Sequence, residues 1–300
     1  LLESQDISGG NANAKHFDSH VEGYTLPPNI DLRYAHLMAN VEHLALLEAG
    51  AVRWLEWRDR YPDIEPDLSG ADLVRANLRG ANLKAVNLKS ADLQGVKLIA
   101  ANLIAANLSL ANLYRSELID VEAIAANFIG SNLSEADLRR ADFSRANLMG
   151  ADLRAANFQD GDLSDATLIG ASLSDTNLTA AVLMGANLSN ANLHEAELME
   201  ARFYKSNLQL ANLSAAHLIK ADLFGANLSE ANLSGADCRW ANFSKANISR
   251  ANLTDANLRG ANLRGVNLQG ANLTGANLRD VNFDRANLQA AIMPDRTIHS

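Results

Sequence analysis

With one cysteine in 300 residues, Cys238, the chain cannot form an internal disulfide, and this fits a reducing compartment such as the cytoplasm. Aromatic residues make up only 5% of it, which excludes a core built from large rings. No apolar stretch approaches the roughly 20 residues needed to span a bilayer, so no membrane segment is expected. Charge of one sign is also scarce where it would matter most. The chain carries a net charge of −9, but residues 66–300 hold 24 acids against 21 bases. So mixed a surface offers neither a strongly basic nucleic-acid groove nor a strongly acidic imitation of DNA, and nucleic acid is not the expected partner. The chain has no GxxxxGK(S/T) phosphate loop, no GxSxG nucleophile elbow, no HExxH helix and no cysteine pair. Its seven histidines are His16, His20, His36 and His43 near the start, and His194, His217 and His299 further on. They read as solvated side chains rather than metal ligands. No enzyme, cofactor or metal chemistry is therefore expected.

What the chain does have is a period. From Leu68 to Leu288, leucine or phenylalanine recurs at nearly every fifth residue in the pattern A-(D/N)-L-x-x, without insertion or deletion. Five residues suit neither the helical nor the strand period, so the backbone must turn a corner in every unit. Two places before each leucine stands a small residue, as at Ala71, Ala76, Ala81 and Val86; one place before it stands Asp72, Asn77, Asn82 or Asn87. Glycines such as Gly70, Gly80, Gly95 and Gly265 fall two places after the leucine, and Gly161 is the exception. A position that repeatedly accepts Gly, Ser or Asn has the positive φ of the third residue of a type II turn. Three residues of wall and a two-residue corner, four times over, close a square. Leucine and alanine then point inward, the corner residues face water, and the backbone pairs with the coils above and below.

This pattern resembles the pentapeptide repeat family over about three-quarters of the chain. The resemblance implies an all-β solenoid, a right-handed quadrilateral β-helix with four pentapeptides per coil. At 20 residues per coil, residues 66–293 make about 11 coils, and at about 4.8 Å per coil a rod on the order of 50 Å long. The stretch EHLALLEAGAVRWLEWRDRYPDIEPDLSGADL looks like the leader of cyanobacterial members, and the closing AIMPDRTIH looks like their usual ending.

The remaining segments follow by contrast. Residues 1–40 form a leader, flexible or draped on the body, rich in Gly, Ser, Asn and His. Residues 41–65 read as a short N-terminal α-helical cap. Leu44, Leu47, Ala51, Trp54, Leu55 and Arg58 lie on one side at helical spacing, Asn40 is the N-cap, Pro62 stands past the end, and Gly50 splits the segment in two. An open first coil would expose its leucine layer and a sheet edge, so this helix is expected to cover it with Trp54 and Leu55. Residues 66–293 form the β-helix; Met293 keeps its register, Pro294 ends it, and residues 294–300 are a C-terminal tail.

Corner residues are what distinguish one coil from another. Stacked by 20, Met184, Tyr204 and Phe224 fall in one column, with Met199, Ile219 and Trp240 at the neighbouring corner. Ile99, Ile119, Ile104 and Ile124 lie on the same two edges nearer the start, and Ile129, Met149 and Ile169 run along another edge with Leu110 and Leu210 close by. Such residues either pack on one another and beneath the leader or form a contact surface for a protein partner or a second copy. Arg239, Arg259 and Arg279 stack on one column with Arg264 on the next, as a solvated ladder or an anion-contacting strip, and Asp280 and Asp284 can screen part of their repulsion. Departures from the motif are few: Ala123 replaces a central leucine, leaving a small void for Ile124 to fill in part, and Lys97, Val182, Arg202 and His217 replace the Asp or Asn.

The function expected from these features is that of a non-catalytic cytoplasmic regulator or scaffold, a rigid rod that binds a protein partner through its edges. Regulators in the family it resembles act in this way, some of them in cyanobacterial cell differentiation. The candidate contact residues are Met184, Met199, Tyr204, Ile219, Phe224, Arg239 and Trp240, and monomer and dimer remain open. The alternative is a DNA-mimicking inhibitor of DNA gyrase, an activity of the quinolone-resistance branch. That branch bears a strongly negative rod, which the near balance of charge in residues 66–300 does not reproduce.

Overall fold

Five-residue units give the backbone the same three tasks each time: extend, pair and turn. In the computed structural model, which describes residues 40–300, all three are met by hydrogen bonds between neighbouring coils and within each corner. Asp67 bridges Asn87 in parallel, Asn87 bridges Asn107, and the ladder continues on four faces until Asn272 pairs with Ile292. Within the stack a leucine N–H donates to the carbonyl 19 residues ahead, as Leu68 does to Asn87 at 2.7 Å, and an Asp or Asn N–H from Asn87 onward donates to the carbonyl 21 residues back. Corners are closed by a second set: the Ala71 N–H donates to the Leu68 carbonyl at 3.1 Å, and Gly70 between them has φ 68°. That is the hydrogen bond and the sign of φ that a type II turn requires. Ala85, Arg115, Leu110 and Trp240 adopt the same φ, 55–60°, without being glycine, because the N–H at that position also bonds to the next coil.

The interior is a column of leucine and alanine, buried from Leu68 to Leu273. Asn and Asp in the walls do two jobs. Their Oδ1 accepts the N–H two residues on, and the Asn amide donates to the residue 20 back, as Asn247 does to Asn227 and Asn227 to Asn207, both at 3.1 Å. Where a hydroxyl takes an alanine position it is buried and satisfied; Ser131 donates to the Phe128 carbonyl at 2.8 Å and Thr176 to the Leu153 carbonyl at 2.8 Å. Cys238 is fully buried at a leucine position, and burial pushes its thiol far up from its ordinary value.

Two helices precede the coils: α1, Val41–Glu48, and α2, Ala51–Arg60. Asn40 caps α1 by accepting from the Glu42 and His43 N–H groups at 2.9 and 3.2 Å, and Gly50, at φ 103°, separates the helices. Trp54 is buried, its Nε1 donating to the Asn82 carbonyl at 2.7 Å, and Leu44, Leu46 and Leu47 pack on the same core. Leu55 does not cover the first coil. It is 47% exposed, because α2 turns Trp54 and Arg58 toward the coil and the next residue lies about 100° further round the helix. His43 is also not solvated: it is buried against Trp57 at 4.8 Å, and its Nδ1 accepts the Asp67 N–H at 3.0 Å. His16, His20, His36 and residues 1–39 of the expected leader lie outside the described residues.

At the far end, Gly275 still donates to the Pro294 carbonyl at 3.1 Å, after which the chain folds back so that Ile298 pairs antiparallel with Ile292. Around Ala123 the packing is taken up by rings: Phe128 and Phe143 stack at 4.8 Å, and Phe143 meets Phe158 edge-on at 5.2 Å. Ile124 stays half-buried at its corner and is not part of the core.

Candidate functional site

Because every coil repeats the same backbone, chemistry can vary only where side chains leave it. The structure brings Met184, Tyr204 and Phe224 together on one corner. Tyr204 and Phe224 stack with ring centroids 5.5 Å apart and planes 11° from parallel. Lysines flank them: the Lys205 Nζ lies 5.0 Å from the Tyr204 centroid and the Lys245 Nζ 5.4 Å from that of Phe224. A shallow groove of about 320 Å³ runs past Ser164, Asp165, Met184, Gly185, Tyr204 and Lys205. A second, of about 460 Å³, continues along the edge, lined by Phe224, Ser244, Lys245, Asn262, Arg264, Gly265 and Arg285.

On the neighbouring corner Met199 is exposed and Ile219 half-buried. Trp240 is set apart from them. It occupies the second residue of its corner, the positive-φ place, and its ring lies over Gly260, where a Cβ would come within 2.7 Å of it. Arg239 is held in a fork by Asp237, Nε to Oδ1 at 2.8 Å and Nη2 to Oδ2 at 2.6 Å, with its guanidinium 5.7 Å from the Trp240 ring. Although burial opposes it, this pairing keeps the Asp237 carboxyl below its ordinary value, and it raises the guanidinium. Asp280 lies 3.7 Å from Arg259 and 3.6 Å from Arg279, and Asp284 lies 3.2 Å from Arg264.

Sequence reasoning missed the lysines over the rings and the Asp237 fork. Both were within reach of the 20-residue register, which sets Lys245 one coil beyond Phe224 and Asp237 on the wall beside Arg239. Elsewhere the substitutions in the Asp/Asn position compensate each other one coil apart: Lys97 lies 3.7 Å from Glu117, and His217 2.9 Å from Glu197. Among the described residues no group of His, Cys, Asp and Glu is arranged to hold a metal ion. No helix among them is long and apolar enough to cross a membrane.

The family model for pentapeptide repeats matches this chain in eight copies between residues 67 and 293, with only residue 161 left outside the matched segments. The chain belongs to the pentapeptide repeat family, whose fold is a right-handed β-helical solenoid. Among solved structures it is similar to HetL, a pentapeptide repeat protein involved in heterocyst differentiation regulation from the cyanobacterium Nostoc sp. strain PCC 7120. The two are 37% identical over 69% of this chain and 91% of HetL, with a TM-score of 0.41. A pentapeptide repeat protein from the Arabidopsis thaliana thylakoid lumen is 33% identical over 38% of this chain and 69% of its own, with a TM-score of 0.22. Full-length QnrB1, a plasmid-mediated fluoroquinolone resistance protein, is 20% identical over 63% of this chain and 92% of its own, with a TM-score of 0.34. No curated protein matches the sequence.

Proposed function

We propose that this protein is a non-catalytic cytoplasmic scaffold or regulator, a rod of about 11 coils that binds a protein partner through the edge bearing Met184, Met199, Tyr204, Ile219, Phe224, Arg239 and Trp240. One observation carries the reading: a stacked aromatic pair and two methionines stand on adjacent corners of a rod whose other surface positions are mostly small or polar. Aromatic residues and methionine are enriched in contact surfaces because they remove much apolar area from water at low cost in ordering. The role of HetL in regulating differentiation is consistent with it.

Charge counts against the DNA-mimic alternative, since residues 238–300 hold eight bases and four acids. The test is capture of a partner from the source organism by wild type and by the Tyr204→Ser, Phe224→Ser double variant. Each lost anchor is expected to cost the interface about 2 kcal/mol, so the variant should recover no partner. Equal recovery would place the contact elsewhere, and potent inhibition of gyrase supercoiling by the purified protein would restore the alternative.

A further inference from the structure

Basic residues are not spread evenly along the rod. Residues 66–237 carry 20 acids and 13 bases, whereas residues 238–300 carry eight bases and four acids. Six of those eight bases, Arg239, Lys245, Arg259, Arg264, Arg279 and Arg285, stand on the two corners that border a single wall. That wall presents Asn242, Asn262 and Asn282, paired coil to coil, with the Asn262 amide donating to Asn242 at 3.2 Å. Two rails of cations therefore run beside a strip of neutral amides. Acids neutralise the rails only in part: Arg259 and Arg279 share Asp280, Arg264 has Asp284, and Arg239 has Asp237. Lys245 and Arg285 have no acidic partner among the described residues, and both line the groove that begins at Phe224.

We infer that this wall and its two corners are a docking face for a short acidic segment of a polypeptide, extended along the rod, with apolar side chains set against Phe224 and Trp240. The inference rests on the reading of the rod as a protein-binding scaffold and adds the chemistry of the partner. Rungs about 4.8 Å apart place like charges close together, and an anionic occupant relieves their repulsion. The amide strip supplies hydrogen-bonding groups without adding charge. Coils from Phe224 to Arg285 span roughly 15 Å, the length of about five extended residues. A segment so short responds to the local field, because charges more than about 8 Å away are screened at physiological salt. A long polyanion would instead meet the acidic remainder of a protein with net charge −9.

Ring geometry also separates a peptide from single-stranded nucleic acid, which binds by stacking bases on open aromatic faces. Here Tyr204 and Phe224 stack on each other, and lysine ammonium groups lie over both rings. Trp240 lies over Gly260 with Arg239 near its ring.

The experiment is a titration of the full chain with a fluorescein-labelled peptide of glutamates interrupted by leucine, the same peptide with glutamine for glutamate, and a single-stranded oligonucleotide. The glutamate peptide should bind in a salt-dependent manner, and nuclear magnetic resonance should show shifts confined to the Trp240 indole and the amides of Asn242 and Asn262. The Lys245→Gln, Arg264→Gln, Arg285→Gln variant should bind it at least about tenfold more weakly, while Arg250→Gln, on another corner, should bind as wild type does. If the triple variant does not fold, Lys245→Gln alone should still weaken binding and remove the shifts. Equal binding of the glutamine peptide, shifts spread over other corners, or an oligonucleotide that binds more tightly than the peptide would each overturn the inference. A triple variant that keeps partner capture while Tyr204→Ser with Phe224→Ser loses it would remove the acidic segment and leave the protein-binding reading intact. Capture unaffected by either set would remove both.

Discussion

At Gly161 the chain has a glycine where alanine is the rule, and the neighbouring ring explains it: a Cβ there would run into the edge of Phe158 and come within 3.2 Å of the Ala141 carbonyl. Restoring the consensus by Gly161→Ala should therefore destabilise the rod, by about 1–3 kcal/mol as overpacking does, and Phe158→Leu in that background should recover most of the loss. Chemical denaturation of the two variants measures this; a more stable Gly161→Ala would show that the ring moves aside freely. His43 gives a second residue-scale test. Burial holds its pKa below the ordinary 6.5 against the smaller opposing charges of Glu42 and Asp67. The folded ring stays neutral where the unfolded chain already takes up a proton, so its contribution is whole above about pH 6.5 and shrinks as pH falls toward the lowered folded value. Protonation of Nδ1 also breaks the bond from the Asp67 N–H. Protection of that amide from exchange should drop between about pH 7 and about pH 5 in wild type and show no such drop in His43→Gln; identical pH dependence in both would contradict it.

Elements of this protein were legible to different depths. The coil register followed from the spacing of leucine alone, since a five-residue unit has one way to keep its apolar residue inside. Asn40, Gly50 and Pro62 mark in the sequence the stretch that the structure builds as α1 and α2. What the sequence could not show was the rotation of α2 about its own axis, set by the backbone at Gly50 and by the reach of Trp54 to Asn82 and of Arg58 to the Lys84 carbonyl at 2.8 Å. Leucine spacing was equally silent about the Phe158 ring and Gly161, which meet within one wall and corner. The orientation of α2 separates two neighbouring residues cleanly. Trp54→Ala should cost about 3–5 kcal/mol in the stability of the helical segment, whereas Leu55→Ala should stay within about 0.5 kcal/mol, as read by exchange at the first-coil amides. Removing residues 1–62 should expose the first leucine layer and its unpaired edge and cause end-to-end association in sedimentation. A truncated rod that stays monomeric and melts with the full chain would end the capping role.

On the scale of the whole molecule, stability is distributed along the coils, and the proposed function concentrates recognition at corners. Each coil rests only on its neighbours, so corner substitutions that leave leucine and alanine in place should change stability little. For Tyr204→Ser with Phe224→Ser the loss is that of one half-buried aromatic stack, about 2 kcal/mol or about 4–8 °C in melting temperature. A collapse of the melting curve would instead make these rings structural. Arrangement along the axis adds direction: an acidic beginning, with 11 acids and five bases in residues 1–65, and a basic far third. The most direct test of recognition through these corners is a hydrogen-exchange footprint of the rod with its captured partner bound. Slowed exchange is expected at the corners holding residues 184–185, 204–205, 224–225 and 239–240; slowing instead along the column diagonally across from Tyr204, residues 194–195, 214–215 and 234–235, would contradict it.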